Sequence, residues 1–155
     1  MNFHIVVIGK TKEKYLATGI DDFRARLGRY ADVELVVVKD RRRPASMPPA
    51  TIKEEEGRAI LEKAGDSFLV ALDAAGRQVS SEELSDLVSR WEEEGRRTVT
   101  FVIGGPDGLS PAVLEKADLL LSLSKMTFTH DIARLLLLEQ LYRAYSIKAK
   151  TGYHK

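Results

Sequence analysis

The stretch Thr98-Val-Thr-Phe-Val-Ile103 is followed at once by Gly104-Gly-Pro-Asp-Gly-Leu109, so that an apolar run ends in a glycine-rich loop. A second run, Leu119 to Ser124, ends in Lys125-Met-Thr-Phe-Thr-His130. Continuous apolar runs of this length predict strands that are buried on both faces, as in a parallel sheet. We expect the two strands to be neighbours, with their loops at the carboxyl edge of the sheet, where free backbone groups can hold a ligand. The pattern therefore predicts a ligand site at this edge.

The rest of the chain repeats the same unit, a strand followed by a helix, five times in all. The predicted strands are 3–8, 33–38, 67–72, 98–103 and 119–124, and the predicted helices are 15–27, 51–64, 81–94, 111–117 and about 130–150. This alternation predicts an α/β fold with a mostly parallel sheet flanked by helices. Ser80 with Glu83, and Ser110 with Pro111, are typical helix starts. Because no linker divides the chain, we expect a single domain, residues 1–155.

Composition limits the classes of function. The chain has no cysteine, which excludes disulfides and cysteine nucleophiles and suits a cytoplasmic location. Its histidines, His4, His130 and His154, have no metal-ligand spacing, and we expect no metal. No apolar segment approaches the length of a membrane span, so we expect a soluble protein with no membrane contact. The net charge of +1 does not by itself predict a nucleic-acid partner.

Several segments have both a structural and a functional interpretation. The glycine loop, residues 104–108, matches neither a P-loop nor Gly-x-Gly-x-x-Gly, and a tight turn explains it about as well as a ligand contact. Met126 and Phe128 could wall a pocket, although packing of the helix start against the core is slightly favoured. The last residues, 151–155, would ordinarily be a frayed end. The final helix is apolar over most of its circumference, which favours a homodimer.

Four motifs of the chain resemble those of the RlmH family of ribosomal RNA methyltransferases, within the SPOUT superfamily. They are Phe101-Val-Ile-Gly-Gly-Pro-Asp-Gly-Leu109, Leu121-Ser-Leu-Ser-Lys-Met-Thr-Phe-Thr-His130, Glu139-Gln-Leu-Tyr-Arg-Ala-Tyr145 and the terminal Tyr153-His-Lys155. The resemblance covers the whole chain. It implies an α/β knot, in which the carboxyl-terminal segment forms a trefoil knot that binds S-adenosylmethionine, and a homodimer. Periodicity alone predicts no knot, because knots are very rare.

The resemblance also implies a reaction. Members of the family methylate N3 of a pseudouridine in helix 69 of 23S ribosomal RNA, on the assembled ribosome. Matching the motifs position by position assigns cofactor contacts to Leu72, Gly104, Leu123, Ser124, Lys125, Met126, Thr127 and Phe128. His154 is then the first candidate for the base that removes the N3 proton, Tyr153 for stacking or a proton relay, and Arg143 for binding an anion or phosphate. His130 lies near this site, and a structural role suits it as well.

Two features bear on the RNA partner. Family members often end in Tyr-His-Arg, whereas this chain ends in Tyr-His-Lys, which keeps the charge but loses a bidentate phosphate contact. Local basic patches, at Arg41 to Arg43 and in the tail, are the expected contacts with a folded ribosomal surface. The alternation of strands and helices would alone also permit a flavodoxin-like nucleotide-binding enzyme or a non-catalytic dimeric binding module.

Overall fold

The computed structural model describes all residues from Met1 to Lys155, and strands and helices alternate along the chain. The strands are β1 (Asn2–Ile8), β2 (Asp32–Val38), β3 (Phe68–Gln78), β4 (Thr98–Ile103) and β5 (Leu119–Ser122). The helices are α1 (Lys14–Leu27), α2 (Pro49–Ala64), α3 (Ser81–Glu93), α4 (Pro111–Lys116) and α5 (His130–Lys148). The predicted α/β series is confirmed, and the main difference is that β3 continues past Leu72 to Gln78.

The five strands form one parallel sheet in the order β2-β1-β4-β3-β5. The expectation that 98–103 and 119–124 are neighbours is wrong, because β3 lies between β4 and β5. Crossover helices decide the order of parallel strands, and a local sequence pattern does not reveal it. As a result, three carboxyl ends, those of β4, β3 and β5, lie side by side.

Helices cover both faces of the sheet. On one face α5 lies between α1 and α3, above a core that includes Phe3, Ile5 and Phe101. On the other face α2 and α4 cover a second cluster that includes Val6 and Val102. Successive residues of a strand point to opposite faces, so a sheet covered on both sides requires continuous apolar runs. No helix of the structure has both the length and the apolar character needed to cross a bilayer.

The apolar circumference of α5 is largely explained by neighbours within the chain. From His130 to Ile147 no residue of this helix is fully exposed, because α1 and α3 flank it and the sheet lies beneath it. A helix can therefore be apolar on most sides without a second subunit. The homodimer stays a prediction.

The edge of the sheet between β3 and β5 is irregular. Leu72 and Arg77 both pair with Leu121, so residues 73–76 leave the ladder between two paired segments. Gly76 makes the second segment possible, since a Cβ there would lie 2.7 Å from the backbone carbon of Leu120. We call residues 73–76 the β3 bulge.

Candidate active site

A cleft of about 790 Å³ opens at the carboxyl edge of the sheet. Residues of three segments line it: 72–74 at the β3 bulge, most of 103–109 after β4, and 127–130 at the start of α5. A hollow of about 140 Å³ adjoins it and shares residues 72–74, 127 and 128. A cleft of this size, at the edge where parallel strands end, is typical of a small-molecule site.

The structure brings together most of the residues that the family resemblance assigns to the cofactor. Leu72, Gly104, Thr127 and Phe128 line the cleft. The adjoining hollow is lined by Leu123, Ser124 and Met126, together with Leu72, Thr127 and Phe128. Lys125 lines neither. That these residues bind a cofactor stays a prediction.

The glycine loop is both a tight turn and a wall of the cleft. The N–H of Gly108 donates to the carbonyl of Gly105 at 3.0 Å, and Gly108 has a φ of +85°, which favours glycine. A Cβ at Gly104 would lie 2.8 Å from the backbone carbon of Gly108. The two interpretations of this loop are therefore compatible.

The second loop presents apolar side chains to solvent. Met126 is 77% exposed and Phe128 is 42% exposed. The slightly favoured expectation that both pack against the core is wrong for Met126, although the cap is confirmed, because the Thr129 hydroxyl accepts the N–H of Ile132 at 3.3 Å. Large apolar side chains exposed at the mouth of a cleft are suited to cover a ligand or contact a partner.

A buried ionic network lies behind the start of α5. Asp131 is 6% exposed, and its Oδ2 accepts the N–H of Lys12 at 2.9 Å. Arg134 is 1% exposed and donates to the carbonyl of Ile8 at 2.7 Å and to the hydroxyl of Thr11 at 3.1 Å. Burial lowers the pKa of Arg134, and Asp131 opposes that effect. This network was not predicted from the sequence, where its only local signal is the three-residue spacing of Asp131 and Arg134.

The carboxyl-terminal tail is folded back onto α5, so the expectation of a frayed end is wrong. The Arg143 guanidinium pairs with Glu139 and lies 4.9 Å from the centre of the Tyr153 ring. The Tyr153 hydroxyl donates to Glu139 at 3.1 Å, and His154 Nε2 is 2.6 Å from Glu82. The hydrogen bond to Glu139 raises the pKa of Arg143, while burial is the largest cause of the raised pKa of Tyr153.

The three residues predicted to be catalytic, Arg143, Tyr153 and His154, are brought together by the structure, but none of them lines the cleft. Tyr153 bonds to Glu139, which is nine residues from His130 on α5. Nine residues of α-helix correspond to about 14 Å along its axis. The contact between Tyr153 and α5 is therefore about this far along the helix from His130, which borders the cleft.

The basic loop after β2 is only partly available to a partner. Arg43 donates from Nε to Glu55 at 3.1 Å and lies 3.9 Å from both Asp40 and Glu56. Arg41 and Arg42 are exposed. Of the predicted RNA contacts in this loop, only these two present free guanidinium groups. The structure contains no cluster of three or more His, Asp or Glu side chains that could hold a metal ion.

Known proteins with similar sequences identify the family of the chain. The family model described as a predicted SPOUT methyltransferase matches residues 1–154. The protein called ribosomal RNA large subunit methyltransferase H from Desulfotalea psychrophila is 47% identical, and that from Bifidobacterium animalis subsp. lactis is 46% identical, each over the full length of both chains.

Solved structures show the same fold at low sequence identity. A probable methylase family protein from Haemophilus influenzae has a TM-score of 0.61 and 16% identity, with 99% of this chain and 70% of that chain covered. The tRNA (m1G37) methyltransferase from Aquifex aeolicus has a TM-score of 0.55 and 14% identity, with 92% and 70% covered. With a family model that spans the whole fold and relatives nearly half identical from end to end, the chain belongs to the SPOUT methyltransferases.

Proposed function

We propose that this protein transfers a methyl group from S-adenosylmethionine to N3 of a pseudouridine in helix 69 of 23S ribosomal RNA, on assembled cytoplasmic ribosomes. The observation that carries the proposal is the cleft, where the segments assigned to the cofactor by resemblance meet at one edge of the sheet. The name shared by the full-length relatives, ribosomal RNA large subunit methyltransferase H, supports the RNA substrate.

The residues of the cleft fit the methyl donor. Its volume of about 790 Å³ is within the range of cofactor sites. Gly104 and Gly105 keep the wall clear of side chains, and backbone groups of the glycine loop are suited to hydrogen-bond an adenine edge. Phe128 and Met126 can enclose the flat ring from the mouth of the cleft.

When bound, the donor supplies a methyl group on a positively charged sulfur. The residues of the cleft would hold that methyl in line with the attacking nitrogen, and orientation of this kind can supply much of the rate. The lining segments 72–74, most of 103–109 and 127–130 come from three different parts of the chain, so a donor bound in the cleft would be contacted from three sides. If Phe128, which borders both the cleft and the hollow, and Met126, which borders the hollow, cover the bound donor, the exclusion of water would strengthen electrostatic contacts inside the cleft.

The target base needs contacts that a single copy of the chain does not place at the cleft. Arg143, Tyr153 and His154 are the residues we propose for these contacts. The first two lie against Glu139 of α5, and His154 lies against Glu82 of α3. We propose a homodimer in which the tail of one copy approaches the cleft of the other. A two-fold dimer makes two such sites.

Titration of the pure protein with S-adenosylmethionine by calorimetry tests the cofactor, with flavin mononucleotide as the competing ligand. We expect binding of the first and none of the second, and a weaker affinity for Phe128→Ala. A matched control is Tyr15→Ala, which also removes an exposed aromatic ring but lies on α1, outside the cleft. Binding of the flavin, or no binding of either ligand, would contradict the proposal.

The substrate is tested separately, with ribosomes from cells that lack this modification. Incubation with the protein and methyl-labelled donor, followed by nuclease digestion and mass spectrometry, should give one N3-methylated pseudouridine per large subunit. Methylation of another nucleotide would support methyltransferase activity and show that the proposed target nucleotide is wrong. A protein that binds the donor but labels no ribosome would contradict the RNA substrate.

A further inference from the structure

Of the three histidines, only His130 lines the cleft. It is the first residue of α5, and its side chain is 22% exposed. His154 lies against Glu82, and His4 is 3.5 Å from Glu34 where β1 pairs with β2. A group that accepts a proton from a bound substrate must reach the site, and His130 already borders it.

A buried carboxylate lies beside the His130 imidazole. Oδ1 of Asp131 has no hydrogen-bond partner, although it is 3.6 Å from His130 Nε2 and 3.5 Å from Arg134 Nη1. A buried oxygen without a partner costs free energy, so there is a driving force for a closer contact. Hydrogen bonds of catalytic pairs are often long before the ligand binds and shorten in the complex.

The network behind Asp131 keeps the carboxylate in this orientation. Its second oxygen accepts the Lys12 N–H at 2.9 Å. Arg134, fully buried and bonded to Ile8 and Thr11, faces the same carboxylate. Because both β1 and the segment after it are attached to this network, Asp131 is rigidly placed. An imidazole oriented by a fixed carboxylate is the usual arrangement of a histidine base.

We propose that His130 accepts the proton of the target nitrogen, and that Asp131 is the positioning residue that orients its imidazole. The inference rests on the proposed function and names the proton acceptor of the same site. With Nε2–H directed at Asp131, the lone pair is on Nδ1. His154 is then left to contact the RNA.

In the proposed step two bonds break and two bonds form. The N3–H bond breaks and its proton passes to His130 Nδ1, while the electron pair of N3 forms the bond to the methyl carbon. The carbon–sulfur bond breaks, and its electron pair returns the sulfonium to a neutral thioether. The imidazolium is stabilised by Asp131 and gives its proton to water after the product leaves.

The first test replaces His130 by alanine and measures single-turnover methylation of ribosomes at saturating donor. We expect the rate to fall by about 100-fold or more, the usual contribution of a positioned base. The affinity for S-adenosylhomocysteine should stay within about threefold, because the side chain is needed for proton transfer. His4→Ala, which removes the β1 histidine that lies beside Glu34 of β2, is the matched control and should retain the wild-type rate.

Added imidazole distinguishes the loss of a base from structural damage in His130→Ala. It should restore part of the rate of His130→Ala and leave the rate of His154→Ala unchanged, since a small base can fill the space left by a side chain that acts as a base. A rate of His130→Ala close to wild type, a loss due only to weaker donor binding, or a loss that imidazole does not rescue would each overturn the inference.

Asp131 is tested by a double-mutant cycle. If it acts through His130, Asp131→Asn should lower the rate in the wild-type background and cause no further loss in His130→Ala, whereas its effect on melting temperature should be the same in both. Equal losses of rate in both backgrounds would overturn its role as a positioning residue. Wild-type protein measured beside the variants separates the two proposals, since an inactive wild type would refute the proposed function itself.

Discussion

Gly104 lines the cleft, and its backbone packs closely against that of Gly108. A Cβ added there would meet the backbone of Gly108 at 2.8 Å, a contact that no side-chain rotation can relieve. We expect Gly104→Ala to displace the glycine loop and weaken binding of S-adenosylhomocysteine by about tenfold or more, equivalent to about 1.4 kcal/mol. Calorimetry measures the affinity.

The control for this change is Gly28→Ala, another glycine-to-alanine substitution, at a residue with the helical φ of −57° that ends α1. It should leave the affinity unchanged. Equal affinity for the wild type and Gly104→Ala would show that the loop can move aside without cost to the site.

Glu56 lies under the same loop and makes stability depend on pH. It is 6% exposed, and burial raises its pKa above the usual 4.5, while Arg43 partly opposes this. Because the folded chain holds this proton more tightly than the unfolded chain, the stabilisation is complete below pH 4.5 and is lost as pH rises through the folded pKa.

Glu56→Gln should therefore raise the melting temperature at pH 7 and have much less effect at pH 4. Arg43 keeps its pairs with Glu55 and Asp40, so it is not left without a carboxylate. Glu55→Gln, on the exposed side of Arg43, should not raise the melting temperature. Scanning calorimetry at both pH values measures the difference, and a variant less stable than wild type at pH 7 would refute this reasoning.

Among the secondary-structure elements, β3 carries the sharpest constraint. Its second segment pairs with β5 only because Gly76 allows the backbone of Leu120 to approach. We expect Gly76→Ala to cost about 1–3 kcal/mol in free energy of unfolding, because the added Cβ would clash with backbone that no side-chain movement can clear. Urea denaturation measures it.

Ala75→Ser, at the exposed position before it, is the matched control and should change the free energy by less than about 0.5 kcal/mol. If both variants unfold at the same urea concentration, the pairing of Arg77 with Leu121 contributes little to the stability of the fold.

The elements show where prediction from sequence succeeds. Apolar runs and caps predict local structure well: Ser80 accepts the N–H of Glu83 and Ser110 that of Val113, as the helix-start motifs indicate. The extension of β3 was not predicted, because Asp73 to Gln78 are mostly small or polar and resemble a loop. Its pairing depends on β5, more than 40 residues later, which a local pattern cannot reveal.

The candidate site was also predicted only in part. The cofactor segments were predicted through family motifs, and physical reasoning alone placed two of them at one edge. The fold of the tail was missed because its partners, Glu139 and Glu82, lie far from it in sequence. Arg134 was missed as a buried residue because an arginine in a helix is ordinarily exposed.

At the scale of the whole molecule, the proposed dimer can be tested by mixing two inactive variants. One, Gly104→Val, has a blocked cleft and an intact tail, and the other lacks residues 153–155. Each alone should be inactive. When dissociated and reassembled together, half of the dimers are mixed and each has one complete site, so we expect about a quarter of the wild-type rate.

No recovery in a mixture that sedimentation shows to contain mixed dimers would mean that each tail serves its own chain. A wild-type mass equal to 17.3 kDa in solution would contradict the dimer itself. The trefoil knot implied by the family resemblance stays a prediction.

The β3 bulge has a consequence for the design of altered enzymes. Because residues 73–76 lie outside the ladder, the side chains of Asp73 and Ala74 can be changed without altering the pairing of Leu72 and Arg77 with Leu121. Asp73 and Ala74 also line the cleft, so substitutions at these two positions change the pocket while Gly76 keeps its contact with Leu120. We expect such substitutions to alter the size of the methyl donor that the proposed site accepts.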